Sequence, residues 1–391
     1  MKNCKQVSPR ALLVFGEDWG RHPSSTQHIV RSLAAERRVI WVNSICLRRP
    51  KLSWRDLLRV TDKLKQWWRG GSESSQSTAI ATPKQLTVIA PLVFPAARSS
   101  LIRKLNVWLV NRQINKVRQR YAIGSLDLWI SLPTAVDWLG HHNESHSLYY
   151  CGDDFAALAG VDHQHVSECE AQLVQRVDSV CAASKTIQAK LQRLVGARKR
   201  VELLPHGVDI RLFSAPTERP TALSTNKPVA GFYGSIASWL DIDLLANLAQ
   251  AMPHWHFVLI GAIETDVSAL TAIDNIELIG AVPHQQLPSY VQHWQAAILP
   301  FRDCAQIKAC NPLKLREYLA SGTPVISAPF PALQPYRDYV QQVTSLVQWQ
   351  AALSSCQRPV TASWRRHQQL AVAAESWDIR ARQVNRLLQS W

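Results

Sequence analysis

The stretch Asn311-Pro-Leu-Lys-Leu-Arg-Glu-Tyr-Leu-Ala-Ser-Gly-Thr-Pro324 carries residue types at a spacing suited to holding a phosphate beside a sugar. Asn311 is a good N-cap and Pro312 suits the first helical position. Gly322 suits the left-handed residue past a helix end, and Pro324 stops any continuation. A helix is therefore expected over 312–320. Its N-terminus would present unpaired N–H groups and the positive end of the dipole, a natural phosphate seat. Lys314 in the first turn would meet a pyrophosphate as a point charge. Glu317, three residues on and on the same face, could accept hydrogen bonds from two adjacent ribose hydroxyls. That arrangement matches a nucleoside diphosphate. The competing reading of the same spacing is a capped surface helix with a solvated Lys–Glu pair. On the first reading, Glu317→Ala abolishes stabilisation by nucleotide and leaves the fold intact.

Two further groups follow apolar runs. Asp153 and Asp154 come after Leu148–Cys151 and before a helical stretch. A carboxylate at a carboxyl strand end could deprotonate an acceptor hydroxyl, whereas the plainer role is capping the next helix. Gly231 and Gly234 are expected to flank the turn after the strand Val229–Tyr233, where glycine lets backbone N–H groups approach a phosphate. Turn chemistry alone is the alternative. His206 and Asp209 read as shaping a turn.

The elements that position these residues alternate. Ala11–Phe15, Val39–Val42, Leu86–Ala90, Leu126–Ser131, Leu148–Cys151, Ser179–Ala183 and Val201–Leu204 read as buried strands. Helices are expected over Ser25–Ala35, Ser100–Arg120, His163–Val177 and Lys185–Val195. Ser214–Pro228, with three prolines and no periodicity, reads as a linker. Strands then resume at Val229–Tyr233, His256–Ile260, Ile276–Ile279, Ala296–Leu299 and Pro324–Ser327. The fold class is α/β: two doubly wound Rossmann-like domains (1–213 and 229–374) around an interdomain cleft, with the helix from 375 to 391 returning to the first domain.

Of the 391 residues 47% are hydrophobic, so both domains can bury a core, and no apolar run is long enough to span a membrane. The eight cysteines are scattered without a CxxC pair, which suits reduced thiols and no zinc site. The N-terminal residues lack a secretory apolar region. Charge is localised: residues 1–120 carry 23 Lys and Arg against 6 Asp and Glu, whereas 121–209 carry 7 against 11. An anionic partner is therefore expected on the first third. Residues 48–69 place Leu57, Val60, Leu64 and Trp67 along one stripe flanked by cations, which favours the headgroup region of an anionic bilayer. The 100–120 stretch has the same character, with packing against the sheet as its alternative.

Several motifs in order resemble one family. PLKLREYLASGTPVIS looks like the donor-site helix of GT-B glycosyltransferases from bacterial cell-surface polysaccharide synthesis. Phe15-Gly-Glu-Asp-Trp-Gly-Arg-His-Pro-Ser-Ser25, followed by VIWVN, is similar to their first β–α–β unit. Leu148-Tyr-Tyr-Cys-Gly-Asp-Asp-Phe155, Leu204-Pro-His-Gly-Val-Asp209, Gly231-Phe-Tyr-Gly-Ser235 and Ile276-Glu-Leu-Ile-Gly-Ala281 resemble later family elements. Ala309 stands where many members carry a second glutamate. The resemblance implies donor contacts by Gly231, Gly234, Ser235, Asn311, Lys314 and Glu317, and a base at Asp153 or Asp154. It also implies an acceptor-side loop of Glu17, Asp18, Trp19, Arg21 and His22.

The function expected is transfer of a sugar from a nucleotide-diphosphate sugar, without cofactor or metal, to a lipid-linked saccharide in polysaccharide synthesis. The protein would be cytoplasmic, peripheral on the inner face of the membrane and without a nucleic-acid partner. A nucleotide-sugar epimerase of the same architecture and a basic nucleic-acid-binding protein are the alternatives. The second needs a recognition fold that the sequence does not display.

Overall fold

The computed structural model describes residues 9–20, 24–44, 82–91, 93–94, 99–155, 161–223, 225–358 and 360–389. Arg21, His22 and the basic stretch 48–69 lie outside them. The chain divides into two compact units. The first holds residues up to Ala183, Ile187–Leu204 and the chain from Ala381 onward; the second holds Ser184–Thr186 and Pro205–Arg380.

The first unit is a seven-stranded parallel sheet of β1 (Ala11–Phe15), β2 (Val39–Val42), β3 (Leu86–Ile89), β4 (Leu126–Ile130), β5 (Glu144–Cys151), β6 (Ser179–Ala182) and β7 (Val201–Leu203). Their spatial order is β3-β2-β1-β4-β5-β6-β7. Leu12–Phe15 and Val39–Val42 are buried throughout, as continuous apolar runs must be in a sheet covered on both faces. Strand order reverses between β1 and β4, so the loops beyond β1, β4 and β5 gather where such sheets bind ligands.

The second unit has six parallel strands: β8 (Val229–Tyr233), β9 (His256–Ile260), β10 (Ile276–Ile279), β11 (Ala296–Leu299), β12 (Val325–Ser327) and β13 (Val340–Gln342). Their order is β10-β9-β8-β11-β12-β13, with the reversal between β8 and β11. Gly231 lies inside β8, not beside a turn as its sequence context suggested. A Cβ there would stand 2.1 Å from the Trp294 indole. Its smallness admits a buried ring rather than a phosphate. Gly231→Ala is accordingly expected to cost about 3 kcal/mol through overpacking, read as a lowered denaturant midpoint. A midpoint equal to the wild type would show that the ring is not confined.

The boundary between units falls after Leu204, earlier than the expected 213, because Val208 and Phe213 bury in the second core. Asp209 caps the helix Ile210–Ser214 by accepting from the Leu212 N–H at 3.0 Å. The two ends of the 205–380 segment are joined. Val208 N–H donates to Glu375 O at 2.9 Å, and Val208 forms a parallel bridge with Ser376. Glu375 Oε2 also receives Arg316 Nε at 2.7 Å and Tyr336 OH at 2.6 Å. Sequence reading assigned no element between Ser327 and 375 and so missed β13 and the helix Leu346–Ser355. Its capping box, Ser345 with Gln348, was nonetheless visible in the residues.

Candidate functional site

The helix after β11 runs from Leu313 to Ser321 and ends at Gly322 in the left-handed conformation, φ 76°. Its start lies one residue later than expected. Pro312 occupies the N-cap and no side chain caps the helix. Asn311 is not the cap: its Oδ1 accepts from Arg316 Nη1 at 2.7 Å, because a buried guanidinium needs that oxygen more than an exposed helix end does. Leu315 N–H donates to Pro312 O at 3.3 Å, so the N–H groups of Leu313 and Lys314 are those that remain for water or a ligand.

Leu315, Tyr318 and Leu319 sink one side of this helix into the core. Lys314 and Glu317 sit where the sheet reverses. Lys314 Nζ lies 4.3 Å from the Phe232 ring centroid, 5.1 Å from Trp239 and 5.8 Å from Phe301. These faces attract the cation through their ring quadrupoles. Gly234, at φ 132°, backs the ammonium so closely that a Cβ there would stand 2.2 Å from Nζ. Among the described residues no carboxylate forms an ion pair with Lys314. Burial lowers its ammonium to about 8, opposed by the charges of Cys310 and Glu317. An unpaired, desolvated cation is costly to hold and is readily completed by an anionic ligand.

Glu317 is 8% exposed and makes no ion pair with Lys314, which removes the solvated-pair reading. Its Oε1 meets His284 Nε2 at 2.7 Å, and its Oε2 accepts from Tyr233 OH at 2.5 Å. A carboxylate oxygen carries two lone pairs and so can accept more than one hydrogen bond. Burial alone would lower the His284 imidazole, but the hydrogen bond and charge of Glu317, with the charge of Asp209, raise it. Tyr318 OH accepts the Tyr233 N–H at 3.0 Å and so ties the end of β8 to the helix. The Gly234 N–H donates to Ile260 O at 2.8 Å, so it is not the expected phosphate donor. Ser235 Oγ lies 3.4 Å from Glu264 Oε1. Tyr233, His284 and the aromatic wall of Trp239 and Phe301 escaped the sequence reading. They come from separate segments of the chain, and no spacing linked them to Lys314. Asp241, next to Trp239, caps the helix Ile242–Ala251.

In the first unit the two aspartates differ. Asp154 Oδ1 binds Lys190 Nζ at 2.7 Å, and Lys190 also holds Glu170 Oε2 at 2.8 Å, so Asp154 is part of a structural ion cluster. The Asp153 carboxylate has no partner among the described residues. Much of Asp153 is open to solvent. Desolvation first and Asp154 second raise it, and the solvent access limits the effect. Glu17, beyond β1, accepts from Ser24 Oγ and from Gln27 Nε2 and is raised to about 7, mainly by desolvation. Asp18 holds Ser44 N and Oγ at 3.2 and 2.7 Å, and the Trp19 ring meets Trp41 edge-on at 4.8 Å. Both brace the loop.

Two doubly wound parallel sheets, one carrying a cation-and-carboxylate pocket at its switch point, define the GT-B architecture. Residues 227–348, which hold that pocket, match the family described as Glycosyl transferases group 1. A Bacillus subtilis (strain 168) protein named as a teichuronic acid biosynthesis glycosyltransferase, TuaH, is 27% identical over 221 residues. The match covers 52% of this chain and 56% of that relative, little more than half its length. Anabaena HepE, solved with UDP and glucose, superposes with a TM-score of 0.66 at 12% identity, covering 97% of this chain and 99% of that one. Sucrose-phosphate synthase from Thermosynechococcus elongatus gives 0.67 at 15% identity over 97% and 98%. The chain has the GT-B fold, and its residues 227–348 match the group 1 glycosyltransferases.

Proposed function

We propose that the protein transfers a sugar from a nucleotide-diphosphate sugar to a lipid-linked saccharide in bacterial polysaccharide synthesis, at the inner face of the cytoplasmic membrane and without a metal. The observation that carries the donor assignment is the caged Lys314, unpaired and one helical turn from the anchored Glu317. The diphosphate lies against Lys314 and the open N–H groups of the helix start, and Glu317 takes the ribose hydroxyls. As the bond to the sugar breaks, Lys314 and the helix dipole stabilise charge on the departing nucleotide diphosphate. Asp153 takes the proton of the acceptor hydroxyl. HepE was solved with UDP and glucose, which supports a nucleotide-sugar donor here. The basic first third and the teichuronic acid role named for TuaH support an anionic, surface-polymer acceptor.

Thermal shift against UDP, UDP-glucose, other nucleoside diphosphates and UMP tests the donor site. Diphosphates are expected to stabilise the protein and the monophosphate to do so far less. Glu317→Gln keeps the buried network and weakens the shift. Glu317→Ala, which removes the oxygens that meet Tyr233 OH and His284, is expected to cost about 2 kcal/mol of stability as well as the nucleotide response, a cost that the sequence reading did not include. If no nucleoside diphosphate shifts the wild type, the donor site is misplaced.

A further inference from the structure

We propose that the outward face of the Ser100–Arg120 helix is a docking surface for an anionic lipid bilayer. The helix buries Asn106, Val110 and Ile114 on one side. On the opposite side Leu101, Leu105 and Trp108, spaced by four and three, are 77%, 42% and 56% exposed. Phe94, also exposed, is tethered to the same helix by its N–H to Asn106 Oδ1 at 2.8 Å. A helix that is apolar on both sides is more than a cover for its own sheet, and large apolar side chains gathered in one exposed segment mark a contact surface. Packing against the sheet, the alternative expected for this stretch, is carried out by Asn106, Val110 and Ile114 and leaves Leu101, Leu105 and Trp108 uncovered.

The charges on the helix point the same way. It carries six Lys and Arg and no acid. Arg103 is occupied by Asp137, and Arg118 by the carbonyls of Ile123 and His142. Lys104, Arg112 and Lys116 flank the apolar stripe and form no ion pair among the described residues; the Arg112 guanidinium stands 5.6 Å from the Trp108 ring centroid. A second copy of the chain would oppose these cations with the same cations. The chain's own 48–69 stretch, with eight Lys and Arg against two Asp, would do likewise. A nucleic acid would satisfy the cations but leave Leu101, Leu105 and Trp108 in water. A bilayer rich in anionic headgroups accepts both, with the apolar stripe at the acyl boundary and the cations among the phosphates.

The full chain, sedimented with phosphatidylcholine vesicles with and without phosphatidylglycerol, is expected to bind only the anionic ones and to release them as salt rises. Leu101→Ser/Leu105→Ser/Trp108→Ser is expected to weaken binding at least about tenfold, and Lys104→Glu/Arg112→Glu/Lys116→Glu about 100-fold. Both variants should keep the wild-type unfolding transition and nucleotide response, which lie in other parts of the chain. Binding equal to the wild type in either variant overturns the proposal. So does a wild-type dimer that the serine variant dissociates while its vesicle binding is unchanged, or DNA retention lost in the charge variant while vesicle binding persists.

Discussion

Replacing Lys314 with methionine is expected to raise the stability of the unliganded protein and to abolish its stabilisation by nucleoside diphosphates. The two effects have one source. Without a ligand the ammonium is held against Phe232, Trp239 and Phe301, and no carboxylate among the described residues forms an ion pair with it. Methionine fills similar volume without charge. With donor bound, the loss of that cation from the developing charge on the leaving group costs about 3–4 kcal/mol, or 100- to 1,000-fold in kcat/KM. Burial lowers the folded Lys314 to about 8 from the ordinary lysine value of 10.5. Between those values the unfolded chain binds the proton that the folded one lacks, so this group makes wild-type stability rise with pH there. Lys314→Met removes that rise. A variant that still shifts fully with UDP would place the diphosphate elsewhere.

The second large effect separates neighbouring aspartates. Asp153→Asn is expected to lower kcat about 100- to 10,000-fold while leaving the unfolding transition and nucleotide affinity near the wild type. Asp154→Asn should instead cost stability, about 1 kcal/mol for a partly exposed pair with Lys190, and spare most of the activity. The base must be ionised to act. Because Asp153 is raised, activity should fall on the acidic side at a pH above the ordinary aspartate range. Steady-state rates and their pH profiles check both. Equal losses of kcat in the two variants would mean that the ion cluster, not a base, governs the rate.

Much of the architecture could be read before the coordinates because it rests on local patterns. The runs at 11–15, 39–42, 229–233, 256–260 and 296–299 are strands with the bounds expected, since a strand covered on both faces is written as a largely apolar segment, and the half-buried edge strand 276–279 has its expected bounds too. The Leu313–Ser321 helix was delimited by its glycine and prolines. Partnerships between distant residues were not legible. His284 reaches Glu317 across 33 positions, and Tyr233 across 84, through the order of strands in the sheet. The pattern around Asn311 identified a helix start, but not that Arg316 would claim its side chain. Likewise two adjacent aspartates look alike until Lys190 binds one of them. The glycines show the same limit, since Gly231 answers to a tryptophan 63 positions away.

The bridge between Val208 and Ser376 brings both ends of the 205–380 segment to one place, a hydrogen bond apart. A segment with adjoining ends can be lifted out and replaced with little disturbance to its host, as inserted domains are. On the proposed donor assignment, the 205–380 segment is a natural cassette. Recombination among related genes, or a protein engineer, can exchange it at two neighbouring seams and so alter which activated sugar is used while retaining the same acceptor machinery.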